Sequence, residues 1–184
     1  MGTQTLCDSP LTEVTNLKTL FFDNLLAISP SVLQRENVQC VLLDIDNTIK
    51  PYGANKIDQP YIEWIDRVKS LGIEVILCSN NYPKNVRPIA EQVNCKFVAF
   101  CLKPSSFGYF RAYLKSKAKR KNILVIGDQF FTDILGGKFM QLKTFLVDPI
   151  SIESESKTVI LRRKLTAVFT NAIKERENPY RKEE

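Results

Sequence analysis

Val38 to Thr48, with the sequence VQCVLLDIDNT, is an almost unbroken apolar run that ends in two carboxylates. Such a run is typical of a strand that is buried on both faces of a parallel sheet. Ligands of open α/β sheets bind beyond the carboxyl ends of the strands, so Asp44 and Asp46 lie where chemistry is expected. Taken alone, an Asp-x-Asp-Asn sequence is more often a solvated turn. The ends of the other strands must therefore decide between the two interpretations.

Three further apolar runs also end in residues that phosphate chemistry can use. They are Ile73 to Cys78 before Ser79-Asn80, Lys96 to Cys101 before Lys103, and Ile123 to Ile126 before Gly127-Asp128, with Asp133 shortly after. A fifth strand is predicted at Thr144 to Val147. The alternation of strands and helices predicts an α/β fold, a doubly wound parallel sheet of about five strands with right-handed crossovers. Because four successive strands end in residues of suitable chemistry, a shared site is favoured over a solvated turn.

The rest of the chain is expected to complete a single domain, with an N-terminal helical extension (residues 1–36), a catalytic core (38–149) and a basic C-terminal helix and tail (150–184). One or two short helices are predicted between Leu11 and Leu33. Another is predicted from Ser105 to about Lys117, with an apolar contribution from Phe107, Phe110, Ala112 and Leu114. Each interval between strands has room for one helix, so no cap domain fits. An open site of this kind admits bulky phosphorylated substrates.

Composition excludes several classes of chemistry. The 184 residues include no histidine, which removes Ser-His-Asp triads, Cys-His pairs and imidazole zinc sites. The five cysteines are scattered and contain no C-x-x-C pair, as is typical of reduced thiols in a cytosol-like compartment. No apolar run approaches the ~18 residues of a membrane span, and no signal-peptide pattern is visible, so a cytoplasmic location is expected. The net charge of +6 suits anionic partners.

Four ordered motifs resemble those of the haloacid dehalogenase (HAD) superfamily. They are Asp44-Ile45-Asp46-Asn47-Thr48, Ser79, Lys103-Pro104, and Gly127-Asp128-Gln129-Phe130-Phe131-Thr132-Asp133. The resemblance spans about Val38 to Pro149 and is greatest with the phosphatidylglycerophosphatase-like branch of the third subclass. Gly136-Gly137 after the fourth motif is typical of that branch, whereas Lys138 stands where Asn is expected.

The resemblance implies hydrolysis of a phosphate monoester through an aspartyl-phosphate intermediate. It makes Asp44 the nucleophile and Asp46 the group that protonates the leaving alkoxide and later deprotonates water. Lys103 would offset the charge of the nucleophile and of the phosphoryl group. The hydroxyl of Ser79 would bind a phosphate oxygen, and Thr48 and Asn80 are further candidates for substrate binding.

The resemblance also implies a Mg²⁺ cofactor, which prefers oxygen ligands and keeps several waters. Its ligands would be the carboxylates of Asp44 and Asp128 and the backbone carbonyl of Asp46. Asp133 would orient metal-bound waters or Lys103 without reaching the metal.

The sequence specifies the substrate and the partners less closely than it specifies the candidate site residues. The branch implies phosphatidylglycerophosphate, a lipid met at an anionic membrane surface by a cytoplasmic, peripheral enzyme. Two basic groups, Lys115 to Lys121 and Arg162 to Lys164, either contact acidic lipid or nucleic acid or are solvated faces, and there is no dedicated nucleic-acid motif. Alternatives are a soluble or macromolecular phosphomonoester, a receiver-type phosphoacceptor domain, and an inactive module that binds phosphate or nucleic acid. The oligomeric state stays open.

Overall fold

The computed structural model describes residues 19–153 and 155–180. Six strands form one parallel sheet in the order β1-β6-β5-β2-β3-β4. The strands are β1 (Thr19–Phe22), β2 (Cys40–Asp44), β3 (Glu74–Cys78), β4 (Lys96–Val98), β5 (Ile123–Gly127) and β6 (Lys143–Val147). After β4 the chain returns to the other side of β2, so the strand order reverses between β2 and β5. In doubly wound sheets the crevice at such a reversal is where ligands bind.

Helices cover both faces of this sheet. They are α1 (Pro30–Arg35), α2 (Gln59–Ser70), α3 (Pro83–Gln92), α4 (Ser106–Lys115), α5 (Leu135–Phe139) and α6 (Lys157–Lys174). A π-helical turn at Phe130–Ile134 leads into α5. Because successive residues of a strand face opposite sides, Val41 and Leu43 join the core formed with α2 and α3, whereas Cys40 and Leu42 join the core formed with α4. The predicted doubly wound α/β fold is confirmed.

The sheet has one strand more than predicted, because Thr19–Phe22 form β1 and not part of a helix. All four residues are buried, which an edge strand covered by a helix requires. The hydroxyls of Thr19 and Thr144 lie 2.8 Å apart, and the rings of Phe22 and Phe145 lie 5.1 Å apart, so side chains fix the pairing of β1 with β6. Residues 11–18, also in the predicted helical range, lie outside the described residues.

Of the four apolar residues predicted to contribute to the core from α4, only Ala112 is buried, so the helix presents a different face from the one predicted. Its buried residues are Gly108, Tyr109 and Ala112, whereas Phe107, Phe110 and Leu114 are exposed. The reason is close packing at Gly108, where a Cβ atom would lie 2.3 Å from the carbonyl oxygen of Cys101. Only glycine permits this approach, and the approach decides which neighbouring side chains turn inward.

The connections after β2 and β3 are short, and the carboxyl edge of the sheet is bordered by α6. Residues 45–58 form the loop between β2 and α2, and α3 alone connects β3 to β4. Within residues 19–153 and 155–180, neither connection contains an inserted cap domain. The assignment of the whole chain to one catalytic domain stays a prediction. None of the described helices is sufficiently long and apolar to cross a bilayer.

Candidate active site

The two carboxylates of the first motif are separated by the geometry of the turn after β2. Asp44 is the last residue of the strand, and Asn47 adopts a left-handed conformation with φ of 64°. The side-chain oxygen of Asn47 accepts a hydrogen bond of 3.1 Å from the amide of Tyr52, which closes the turn. Asn tolerates this conformation and this local hydrogen bond better than most residues do. Asp44 and Asp46 consequently line the same cavity but contact different partners.

Lys103 is the buried cation of the site. Its ammonium lies 2.6 Å from Oδ1 of Asp44 and 2.8 Å from Oδ1 of Asp133. Burial by itself would lower the pKa of Lys103, but the carboxylates of Asp133 and Asp44 outweigh burial and raise this pKa well above its usual value. Asn80 fixes the backbone of Lys103, accepting from its amide at 2.7 Å and donating to its carbonyl at 3.2 Å.

Lys103 binds two of three carboxylates that lie close together, and the third, Asp128, is paired with Arg163. Oxygen atoms of Asp44, Asp128 and Asp133 all lie within 4.8 Å of one another. Burial, with a contribution from Asp133, raises the pKa of Asp44 to about 7, although Lys103 opposes the shift. Burial and the charge of Asp44 also raise the pKa of Asp128 well above its usual value, although Arg163 opposes the shift. Burial of these two carboxylates therefore favours their protonated forms.

Asp46 lies apart from this cluster. Its Oδ1 forms an ion pair with Lys50, and its Oδ2 lies 3.5 Å from the side-chain nitrogen of Asn81. The Asp46 side chain is 20% exposed, whereas that of Asp133 is 1% exposed. Only one of these two acids therefore faces the solvent side of the site, where a leaving group would depart.

The structure brings the predicted residues together. A cavity of about 240 Å³ is lined by Asp44, Asp46, Ser79, Asn80 and Lys103. Thr48 contacts the cluster from its buried side, with its hydroxyl 3.2 Å from Oδ2 of Asp44 and 3.5 Å from Oδ1 of Asp128. A larger cavity of about 630 Å³ lies at the amino edge of the sheet, and the cluster of three carboxylates does not border it.

Sequence reasoning missed two basic residues at the site, Lys50 beside Asp46 and Arg163 beside Asp128. Arg163, on α6, donates to the backbone carbonyl of Asp128 at 2.9 Å and forms an ion pair with its carboxylate. Glu155 accepts from the Nε of Arg163 at 3.0 and 2.9 Å and from the side chain of Asn47 at 2.7 Å. These contacts connect the start of α6 to the turn after β2. The only sequence signal for Arg163 was the basic triplet Arg162 to Lys164, which does not show which member turns inward.

Tyr109 is a further residue that sequence reasoning missed. Its hydroxyl donates to Oδ1 of Asp133 at 3.2 Å, beside the ammonium of Lys103. Burial is the main reason that the pKa of Tyr109 is raised well above its usual value, so the phenol stays a donor. Its hydrogen bond and the backbone amide of Gln129, 3.2 Å from Oδ2, hold Asp133 in place.

Comparisons with known proteins agree with this geometry. A model of the family described as mitochondrial PGP phosphatase matches residues 4–151. The probable phosphatase YqeG of Bacillus subtilis is 33% identical over 131 residues, which cover 71% of this chain and 76% of that protein. The match to the family model includes the strands that carry the four motifs.

Solved structures share the fold at low identity. An uncharacterised protein from Listeria monocytogenes serotype 4b has a TM-score of 0.52 at 12% identity, covering 65% of this chain and 85% of its own. The cobalt-bound deoxy-D-mannose-octulosonate 8-phosphate phosphatase of Haemophilus influenzae has a TM-score of 0.51 at 17% identity, covering 76% and 91%. With its carboxylates and lysine gathered at the reversal of the sheet, this chain belongs to the PGP phosphatase family, and it is a phosphatase of the HAD superfamily.

Proposed function

We propose that the protein is a Mg²⁺-dependent hydrolase of phosphatidylglycerophosphate that reacts through an aspartyl-phosphate on Asp44. The observation that carries the proposal is the position of Asp44, whose carboxylate lies 2.6 Å from Lys103 and borders the open cavity. A carboxylate held against a buried cation is kept in place for attack, and the same cation offsets charge on the phosphoryl group.

The reaction divides into two displacements. First, a carboxylate oxygen of Asp44 bonds to phosphorus while the bond to the leaving oxygen breaks, and Asp46 gives that oxygen its proton. Asp46 then takes a proton from the water that attacks phosphorus, which releases inorganic phosphate and restores Asp44. Lys50 and Asn81 hold the carboxylate of Asp46 at the cavity wall between these steps.

Ser79 and Lys103 are the groups proposed to hold the phosphoryl oxygens. Ser79 is buried at the end of β3 and its oxygen accepts from the amide of Asn81 at 3.0 Å, so its hydroxyl proton is free to point into the cavity. Asn80 is proposed to act through Lys103, because both ends of its side-chain amide bind the backbone of that residue. Thr48 is proposed to orient the carboxylate of Asp44.

The residues present fit a divalent cation. Oxygen atoms of three carboxylates lie within 4.8 Å of one another, and burial raises the pKa values of two of these groups, Asp44 and Asp128. Among the described residues, Oε1 of Gln129 is a buried oxygen without a hydrogen-bond partner, next in sequence to Asp128. Asp44, Asp128 and the backbone carbonyl of Asp46 would hold Mg²⁺. When bound, the ion supplies positive charge that neutralises phosphate oxygens.

The proposed substrate follows from the family and from the open edge of the sheet. A bulky lipid phosphate can reach the cavity because no cap covers it in residues 19–153 and 155–180. We propose a cytoplasmic enzyme that meets this lipid at a membrane surface. A soluble or macromolecular phosphomonoester is the alternative that the experiment below must separate.

The test is a panel of phosphate esters assayed with Mg²⁺ and with chelator. The panel contains phosphatidylglycerophosphate in detergent micelles, glycerol 3-phosphate, a phosphopeptide and p-nitrophenyl phosphate. We expect the highest kcat/KM for the lipid, and loss of all turnover with chelator. Preference for a water-soluble ester would overturn the substrate assignment.

A second arm tests the covalent step. Asp44→Asn is nearly isosteric at the end of a buried strand, so the fold should survive and can be verified by circular dichroism. Acid quenching with labelled substrate should trap a phosphoenzyme in the wild type and none in Asp44→Asn. Wild-type turnover of p-nitrophenyl phosphate by the folded variant would exclude the covalent mechanism.

A further inference from the structure

Helix α6 exposes a row of apolar side chains to solvent. Leu161, Leu165, Val168 and Phe169 are 57%, 71%, 77% and 57% exposed. Their spacing of three and four residues places them on one side of the helix, here called the outer face of α6. Single exposed apolar residues are ordinary on protein surfaces. A contiguous row of them indicates a surface that binds another protein or a membrane.

An apolar groove extends this face. Between α6 and the π-helical turn lies a cavity of about 570 Å³ that includes Phe130, Phe131, Leu135, Leu165 and Phe169 in its lining. The rings of Phe130 and Phe169 stack with centroids 5.2 Å apart, which holds the groove wall in one arrangement. The outer face and the groove together form a continuous apolar surface.

This surface lies at the same edge of the sheet as the catalytic cavity. Arg163 contacts Asp128, directly after β5, and Lys174 contacts Asp148, directly after β6, so α6 lies along the carboxyl edge. Arg162 lines both the catalytic cavity and the apolar groove. A partner with a flat apolar surface that covers the outer face of α6 would therefore contact the protein beside the entrance of the catalytic cavity.

The charged residues of α6 distinguish between the partners that could cover its outer face. Helix α6 contains five cations and no acidic residue. Arg163 is paired with Asp128 and Glu155, and Lys174 is paired with Asp148, whereas Lys157, Arg162 and Lys164 form no ion pair among the described residues. Apolar side chains flanked by cations are typical of helices that lie in the interface of an anionic bilayer. A second copy of the chain is a poorer partner, because a two-fold contact through this face would bring its like charges together.

We propose that the outer face of α6 docks the protein on an anionic lipid bilayer, with Leu165 and Val168 in the headgroup boundary and Lys164 against lipid phosphates. The proposal rests on the proposed function in naming a lipid as the substrate that docking delivers. The other basic group, Lys115 to Lys121, precedes β5 and so lies at the amino edge, away from the cavity.

The test is flotation with phosphatidylcholine vesicles, with and without phosphatidylglycerol, across a salt series. The variant Leu165→Glu/Val168→Glu places like charge in the proposed boundary. The matched control is Leu114→Glu, which alters a side chain that is 66% exposed at the far end of α4. We expect wild type and Leu114→Glu to bind anionic vesicles, more weakly as salt rises, and the double variant to lose at least ~10-fold in bound fraction.

Turnover separates docking from chemistry. All three proteins should hydrolyse p-nitrophenyl phosphate equally, and only the double variant should slow on phosphatidylglycerophosphate in vesicles. Vesicle binding that depends on α6, without hydrolysis of the lipid, supports the docking surface and overturns only the proposed substrate. Equal binding by wild type and the double variant overturns the inference, and so does self-association that the double variant abolishes without any vesicle binding.

Discussion

To act as the proposed nucleophile, Asp44 has to be ionised, yet its carboxylate is buried beside those of Asp128 and Asp133. Burial raises its pKa to about 7, and burial also raises the pKa of Asp128. Lys103 neutralises one charge, and its own raised pKa keeps it protonated throughout the neutral range. A cation that enters this cluster must therefore displace protons from the carboxylates whenever the pH lies below their pKa values.

This competition predicts that Mg²⁺ affinity rises with pH up to about 7. Below the raised pKa of Asp44, its protonated form dominates, so each proton displaced weakens apparent binding by about tenfold for every pH unit lost. Titration calorimetry at pH 6 in two buffers of different ionisation enthalpy should detect proton release, with less release at pH 8. Asp44→Asn should remove part of this pH dependence. Affinity that is equal at pH 6 and pH 8 would contradict the assignment.

The separate position of Asp46 gives a second prediction at this scale. Asp46→Asn should lower hydrolysis of an alkyl phosphate by ~10² to 10⁴, because an alkoxide leaves poorly without a proton. Formation of phosphoenzyme from an aryl phosphate should fall much less, since a phenolate leaves without help. Rapid-quench measurement of the phosphorylation step distinguishes the two losses. Equal losses on both substrates would argue against Asp46 as the acid.

Among the helices, α6 has two sides with different roles, an inner side that contacts the site and the outer face described above. Its inner side carries Arg163, which binds both Asp128 and Glu155, and Asn47 binds Glu155 in turn. The side chains of Asp128 and Glu155 are fully buried, so both depend on this guanidinium for charge compensation. Removing one partner of a buried ion pair is costly because it strands the other charge.

Arg163→Gln should therefore destabilise the protein by about 3–5 kcal/mol, a range typical of broken buried pairs. Mg²⁺ should restore part of this loss, because a cation at Asp128 supplies the missing charge. Thermal unfolding with and without Mg²⁺ measures both effects. Lys164→Gln, an exposed neighbour, is the control and should unfold as the wild type does. Identical unfolding of the two variants would show that Arg163 does not support Asp128.

For the molecule as a whole, the connections after β2 and β3 contain no inserted cap among the described residues, although α6 borders the catalytic cavity, and this arrangement should determine which substrates can enter. A phosphoserine within a peptide should be hydrolysed with kcat/KM within about tenfold of free phosphoserine, since no lid has to close around it. Steady-state kinetics on the two substrates measures the ratio, with p-nitrophenyl phosphate as the reference. Hydrolysis of the free amino acid alone would indicate a closed site and would contradict the open architecture.

The sequence was sufficient to predict what depends on local pattern. Buried strands are apolar runs in the sequence, and parallel topology places their carboxyl ends at one edge, so Asp44, Lys103 and Asp128 were expected there. In the structure Asp44 lies 2.6 Å from Lys103, and its carboxylate lies within 4.8 Å of that of Asp128, whereas the roles of these residues stay predictions. Contacts between residues that are far apart in the chain could not be predicted from local sequence pattern. The strand β1 is four residues long, and its pairing with β6 crosses more than a hundred residues. The inward turn of Arg163 likewise depends on partners at Asp128 and Glu155.

The match to the family model ends at residue 151, whereas Glu155 and Arg163 lie beyond it. The residues proposed to react and the helix that supports them therefore belong to two stretches of sequence. Substitutions on the outer face of α6 can change the surface on which the enzyme docks without changing a residue that is proposed to react. The surface on which the enzyme docks and the reaction that it catalyses can therefore be changed independently by substitution.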